Sequence, residues 1–433
     1  MRIVILGKYP PIQGGVSSQV YWTSADLVAR GHDVHVVTNA MEVEPSFRQM
    51  FLDHDCEWSQ THRGPGSIHV HFTAPLRHGA YIPWANPFGT KLLGLAASVI
   101  ETNGCDLLVG WYFEPYGIIA AQLGRSLGIP YVLIHAGSDL GRLADHVDLR
   151  SGYRWMIAGA RGILTSASHP KTSELLSRLG ATEQQYIDLP LARLPPLFSP
   201  KASPLDINSI SKGSAEWFDK LSLSSATTKG LLRANEKLFD PSLATVGIYG
   251  KIGERKGSFA LVRALDLIAQ KGLKFNFVIV AGARPGTLES FYELILKSRD
   301  LLSRTWVLPL LCPWRMPEFL GACTIICMLE NGFPIDFHSP RTPREIMASG
   351  RCLICSTEVA EKQIFRESMV HNRNFVEVPD PENVESLAKS LEFVIGAPET
   401  AHVVGKHGLY LSQTCEQFLH QDDSVGGALS TAL

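Results

Sequence analysis

The stretch GKIGERKG, residues Gly250 to Gly257, sets three cations and three glycines within eight positions, just after the apolar run Val246-Gly247-Ile248-Tyr249. A side-chain-poor turn lets backbone amides approach an anion, and lysines on either side, Lys251 and Lys256, add charge. That combination suits a diphosphate; the plainer reading is an exposed basic loop. The stretch does not fit the P-loop pattern, because no glycine lies five residues before Gly250 and Ile252 follows Lys251. The first glycine-rich turn, GKYPPIQGGVSS, does not match G-x-G-x-x-G either. A nucleotide hydrolase and a nicotinamide dehydrogenase both lose support.

A second constellation is SPRTPREIMASG, residues 339 to 350. Thr342 and Glu345 have capping-box spacing with Pro343 at the helix start, which predicts a capped helix closed by Gly350. A carboxylate at a helix N-terminus also suits a ribose diol, while the free amides beside it suit a phosphate. Metal chemistry finds little footing. Cys352-x-x-Cys355 lies in an apolar run, as do Cys323 and Cys327, and reads as small buried hydrophobes rather than half a zinc site. Asp53-His54-Asp55 is a metal-binding spacing in a polar loop remote from the other motifs. No metal and no cofactor is expected.

These residues need a frame, and the chain alternates strand-like and helix-like segments. RIVILG, a Gly-Gly turn, the helix SSQVYWTSADLVARG and the strand HDVHVVT open a series that continues through CDLLVGWY, GIIAAQLGRSLG, IPYVLIHAG and GARGILTSAS. The rhythm restarts at LATVGIYG and runs through SFALVRALDLIAQKG, KFNFVIVAG, TIICML, PREIMASG and RCLICS. Strands separated by helices imply parallel sheets covered on both faces. The expectation is an α/β protein with two Rossmann-like domains facing a cleft: residues 1–200; 201–240, a Ser-, Lys- and Gly-rich linker or insertion with one or two short helices; 241–400; and 401–433, a C-terminal helix packing back on the first domain, with a polar tail. Ligands should sit at the carboxyl ends of the strands.

Composition agrees. The chain has 433 residues, a net charge of −2, 45% hydrophobic and 19% charged residues. At ~150 residues per domain that length predicts two to three domains. The absence of a long basic run argues against nucleic acid as a partner. The apolar start is too short for a signal-peptide core, and no apolar run approaches the ~18 residues of a membrane span. A cytosolic protein is expected.

Taken together, the Gly14-Gly15 turn, HAGSD at 135–139, the GK…KG turn, VIVAG at 278–282 and PREIMASG resemble the family-4 glycosyltransferases, over most of the chain. The resemblance implies the GT-B fold, with the first domain on the acceptor side and the second binding the donor, and a retaining transfer from a nucleotide-diphosphate sugar; lysines and helix amides that can stabilise the leaving diphosphate make a metal-independent mechanism the expectation. It assigns Lys251 and Lys256 to the donor diphosphate, Glu345 to the ribose, Gly14 and Gly15 to the donor's phosphate and sugar, and His135 to the transferred sugar; Gly250 and Thr342 beside these residues are further donor-binding candidates. There are departures: the family more often has arginine where Lys251 stands, Val109-Gly110-Trp111 replaces a histidine pair, and LARL at 191–194 replaces Asn-Gly-Val-Asp. Counting eight residues back from Glu345, to the place of the family's sugar-gripping glutamate, reaches Phe337. Asp336, His338 and Ser339 cluster around that gap, either gripping the sugar in its place or satisfying loop amides. The acceptor, whether glycan, lipid-linked or small molecule, is unspecified; AYIPWANPFG (80–89) forms its platform, a membrane-touching surface or an ordinary loop. A nucleotide-sugar 2-epimerase and a catalytically idle nucleotide-sugar-binding protein are the rival readings.

Overall fold

The computed structural model describes residues 1–75, 87–166, 169–189, 191–335, 337–420 and 422–431. Residues 80–86 of the aromatic stretch, and Asp336, therefore lie outside the described residues. The chain forms two compact units, one of Met1–Glu44, Phe51–Arg193 and Leu419–Leu433, the other of Pro45–Met50 and Leu194–Phe418.

In the first unit the described strands are β1 (Arg2–Leu6), β2 (Asp33–Thr38), β3 (Ser67–Phe72), β4 (Leu107–Trp111), β5 (Tyr131–Ile134), β6 (Gly162–Thr165) and β7 (Tyr186–Asp188), ordered β3-β2-β1-β4-β5-β6-β7. In the second they are β8 (Thr245–Lys251), β9 (Asn276–Gly282), β10 (Thr305–Val307), β11 (Ile325–Met328), β12 (Cys352–Ser356) and β13 (Val376–Val378), ordered β10-β9-β8-β11-β12-β13. All pairings are parallel. Central strands lie between helical layers, so they read as continuous apolar runs: Ile3, Val4, Ile5 and Leu6 of β1 are all fully buried. The strand order reverses between β1 and β4 and again between β8 and β11, and at each reversal the helices leave in opposite directions and open a crevice at the strands' carboxyl ends.

The four strands with no clear sequence signal, β3, β7, β10 and β13, are the four sheet edges. Three of them have three residues, and β3 interrupts its apolar positions with His69 and His71. An edge has a partner on one side only, so it needs less length and less apolar side chain than a central strand.

Residues 201–240 are more ordered than a linker with one or two short helices. They carry helices Ile207–Lys212, Ala215–Lys220 and Ser225–Asn235, and bury Trp217 and Phe218 in the second unit's core. Asn235 covers the free edge of β10: its amide donates to the Val307 carbonyl (2.7 Å) and accepts from the Val307 amide (3.0 Å). The long helix Pro398–Gln417 also belongs to the second unit, where a Cβ on Gly405 would lie 2.5 Å from the Gly350 carbonyl oxygen. The residues beyond it pack on the first unit's helix Gly15–Ala29, through Arg30 to Asp422 (2.6 Å) and the Ser424 hydroxyl to Asp26 (2.5 Å). No described helix is long and apolar enough to cross a membrane.

In the first unit His62 packs edge-on against the Tyr21 ring at 4.8 Å and meets the Tyr9 hydroxyl at 3.3 Å. Burial lowers its pKa to about 4. Between about 6.5 and 4 the unfolded chain therefore binds a proton that the folded one does not, and stability falls as pH falls through that window. From pH 7 to pH 5 this histidine should remove about 2 kcal/mol. Urea unfolding of the His62→Gln variant at the two pH values should show a correspondingly smaller acid loss; an identical loss would assign it to other groups.

Candidate functional site in the second unit

β8 carries Gly250 and ends on Lys251, followed by a single 3-10 turn, Glu254–Lys256, and the helix Ser258–Gln270. Gly257 joins turn to helix at φ +67°, and a Cβ there would lie 2.4 Å from the Leu329 carbonyl oxygen. Only glycine allows both the left-handed backbone and this approach. The basic turn is thereby pressed against the chain leaving β11, and the residue after Leu329 is Glu330.

That contact makes the site. The Lys256 ammonium forms an ion pair with a Glu330 carboxylate oxygen, with side-chain exposures of 22% and 5%. The other carboxylate oxygen, Oε2, is buried without a hydrogen-bond partner. The Ser356 hydroxyl donates to the Glu330 carbonyl at 2.6 Å and holds the backbone beneath. Lys256 also lies 4.0 Å from the centre of the Phe333 ring, with Lys362 at 5.4 Å, and the Phe333 amide donates to Glu358 at 3.1 Å. At Lys256 the plainer reading of an exposed basic loop does not hold: the turn is held down by a partner distant in sequence. Glu330 was missed altogether. Its signal was an acidic residue directly after the strand run TIICML, at a parallel sheet's carboxyl edge.

His338 joins this group. Its ring centre is 5.2 Å from that of Phe333, and burial lowers its pKa, with Glu330 opposing the shift and Lys256, Lys362 and Lys251 reinforcing it. Ser339 is directed elsewhere, its hydroxyl donating to the Lys362 carbonyl at 2.8 Å.

The helix Thr342–Ala348 has Arg341 at its cap and no side-chain cap bond, so the anticipated capping box does not form, and Pro343 is its second residue. Glu345 instead accepts from the Tyr249 hydroxyl at 3.0 Å, with Arg341 at 3.6 Å. Burial raises its pKa, opposed by Arg341. Glu345 and β8 are thus tied together through one phenol.

Beside Lys251 opens a cleft of about 730 Å³, entirely within the second unit. Phe47 and Phe259 give it apolar wall, and Glu254, Arg284 and Thr287 polar rim. The helices Ser258–Gln270 and Pro285–Leu296 both begin here, and their first-turn amides have no intrahelical acceptor. Phe47 arrives from a segment distant in sequence, fastened by the Met50 amide on the Leu310 carbonyl at 2.8 Å. Sequence reading had no means of placing it.

In the first unit, Gly14 caps the helix Gly15–Ala29 at φ +132°, and neither Gly14 nor Gly15 has an atom within 4 Å of where a Cβ would stand. His135, at the end of β5, is half-buried, its Nε2 2.9 Å from the Thr165 hydroxyl and its Nδ1 without a hydrogen-bond partner. Burial lowers its pKa, opposed by Asp139. Asp139 is fully committed to the loop, accepting the amides of Phe113, Ala136 and Leu140, each at 2.9 Å. Of the residues weighed as metal ligands, Asp55 accepts the Leu52 amide at 2.5 Å, and Cys352 and Cys355 are buried in β12, with burial raising both thiol pKa values, that of Cys352 to about 12.

No family model matches the chain, and no curated protein sequence matches it. Solved structures do. Sucrose-phosphate synthase from Thermosynechococcus elongatus is 14% identical, with TM-score 0.59 over 96% of this chain and 94% of that one. HepE of Anabaena, solved with UDP and glucose, is 14% identical, with TM-score 0.60 over 100% and 98%. The catalytic domain of starch synthase IV from Arabidopsis thaliana, bound to ADP and acarbose, is 14% identical, with TM-score 0.56 over 96% and 98%. What this chain shares with them is the fold, GT-B.

Breaking the central ion pair has a calculable consequence. Lys256→Ala strands a buried carboxylate and should destabilise the second unit by about 3–5 kcal/mol. Adding Glu330→Gln should restore most of it. Denaturant unfolding of the single and double variants measures the coupling, and equal destabilisation by the two would show that the pair does not hold the turn.

Proposed function

We propose that this protein is a glycosyltransferase that moves a sugar from a nucleotide-diphosphate donor to an acceptor. The observation that carries the reading is the ion pair of half-buried Lys256 with buried Glu330, in the turn that follows Lys251, at the strand reversal between β8 and β11. A glycosyl donor brings an anionic diphosphate bonded to a hydroxyl-rich ring, and this site offers cations and amides next to a carboxylate oxygen with no protein partner.

In the reaction the bond between the anomeric carbon and the diphosphate oxygen breaks, and the bonding pair leaves on the diphosphate. Lys251, Lys256 and the first-turn amides of helix Ser258–Gln270 stabilise that added charge. The sugar becomes oxocarbenium-like; Glu330 Oε2 accepts from a sugar hydroxyl and lies where positive charge develops. His338, flanked by Lys256 and Glu330, contributes the second sugar contact. The nucleoside occupies the cleft lined by Phe47 and Arg284, with Glu345 and Thr342 on the ribose side. Gly14, Gly15 and His135 of the first unit act on the donor's phosphate and on the transferred sugar. The acceptor's hydroxyl replaces the diphosphate with retention, as a hexosyl transfer in carbohydrate biosynthesis, and its proton leaves with the diphosphate. Charge stabilisation by lysines and amides makes the transfer metal-independent. The eight free cysteines suit the cytosol.

Incubation with a panel of nucleotide-diphosphate sugars and cell-extract acceptors should release nucleoside diphosphate and a glycosylated product. A new sugar nucleotide formed without acceptor would overturn the reading in favour of epimerisation, and binding without turnover would make the protein a receptor. Glu330→Gln should lower kcat/KM for the sugar nucleotide about 10²–10³-fold while leaving affinity for the bare nucleoside diphosphate nearly unchanged. Parallel loss of both would remove Glu330 from the sugar. Initial rates in EDTA should equal those in magnesium; a rate abolished by EDTA and restored by magnesium or manganese would refute the metal-free mechanism.

A further inference from the structure

The parallel register of β2 and β3 sets His35 opposite His69, Asp33 opposite Ser67 and Val37 opposite His71. Side chains alternate along a strand, so Asp33 and His35 share one face with Ser67, His69 and His71. The rings confirm it: His35 stacks on His69 at 4.8 Å and on His71 at 5.3 Å. None of these residues takes part in the donor chemistry proposed above, which draws its polar groups from other positions.

Three side chains converge there. Asp33 Oδ2 lies 3.5 Å from His35 Nε2, Asp33 Oδ1 lies 3.6 Å from His69 Nε2, and the three groups' ligand atoms all fall within 4.8 Å of one another. Donors bound tetrahedrally to one ion at zinc–nitrogen and zinc–oxygen lengths stand about 3.4 Å apart. Each imidazole therefore lies near one oxygen of the carboxylate at about the separation that a shared cation imposes on its ligands, and both distances exceed ordinary N–H···O lengths.

An independent observation points the same way. His35 is only 3% exposed, yet its Nε2 has no hydrogen-bond partner. Its other nitrogen, Nδ1, lies 3.1 Å from His71 Nε2. With the proton on Nδ1 and donated to His71, the His35 Nε2 lone pair faces the carboxylate. Two electron-rich atoms then point at each other across 3.5 Å, an arrangement that a cation between them resolves. Metal-binding histidines typically donate their second ring nitrogen to an outer partner, and His71 supplies one. The Ser67 hydroxyl donates to Asp33 Oδ1 and steadies the carboxylate.

We propose that Asp33, His35 and His69 bind one zinc ion, with His71 orienting His35. Two imidazoles and a carboxylate suit a borderline transition cation, whereas magnesium and calcium take oxygen ligands. Asp33 and His69 are 38% and 53% exposed, so the ion is reached from solvent and water completes its coordination. The ion ties the edge strand β3 to β2.

The full chain, stripped with chelator and dialysed, is titrated with Zn²⁺ against a chromogenic zinc indicator, and bound metal is counted by mass spectrometry. One zinc per chain is expected. His69→Ala and Asp33→Asn, both at exposed positions, should abolish this site with unchanged circular dichroism, and His71→Ala should weaken it about 10–100-fold. No zinc bound by the native chain, or the same affinity in His69→Ala and Asp33→Asn, overturns the proposal. Cobalt substitution separates it from thiol binding: the visible spectrum should lack a thiolate charge-transfer band, and its presence would place the metal on cysteine instead.

Discussion

An ion pair taken out of water holds only if both charges are fixed, and the second unit is organised around one, Lys256 with Glu330. The lysine is delivered by the turn after β8 and the glutamate by the first residues after β11, so the pair bridges the two strands at which the strand order reverses. Gly257 must be glycine because Leu329 occupies the space a side chain would need. Phe333 covers the ammonium and is held in turn by Glu358, itself paired with Lys362 at 2.5 Å. Each of these residues has its place because desolvating two charges is costly unless geometry and neighbours compensate.

The same constraint explains the division of labour in this unit. Glu330 has one oxygen engaged and one without a protein partner, whereas Glu345 is committed to Tyr249 and faces Arg341. Two acidic residues in one region thus have different environments, the first with unmet hydrogen-bonding capacity and the second serving as a brace between β8 and the helix Thr342–Ala348. The cleft beside Lys251 adds two helix N-termini, whose first-turn amides have no intrahelical acceptor.

The first unit uses the same sheet plan with different side chains. At the carboxyl ends of its strands, Asp139 spends its carboxylate on three loop amides and leaves His135 with one hydrogen bond to Thr165. At its edge, parallel pairing gathers histidines and an aspartate separated by more than thirty residues of chain. The two unusual features of this unit therefore lie at different places on one sheet, and both follow from which side chains the strands present.

Apolar runs and their alternation with helices were enough to determine the α/β class, the central strands of both sheets and the basic turn after β8, because burial on both faces leaves a local pattern in the sequence. The edge strands left a weak pattern, since half of their surroundings are not sheet. Local spacing also misled: it predicted a capping box at Thr342 and Glu345, but Tyr249 competes for the carboxylate from a strand far away in sequence. Counting back from Glu345 arrived at Phe337, while the carboxylate that meets Lys256 is Glu330, earlier in the chain. Spacing along a chain specifies neighbours only within one helix or strand; which residue after β11 meets the turn after β8 was decided by the strand order, the close approach at Gly257 and the need to pair a buried charge.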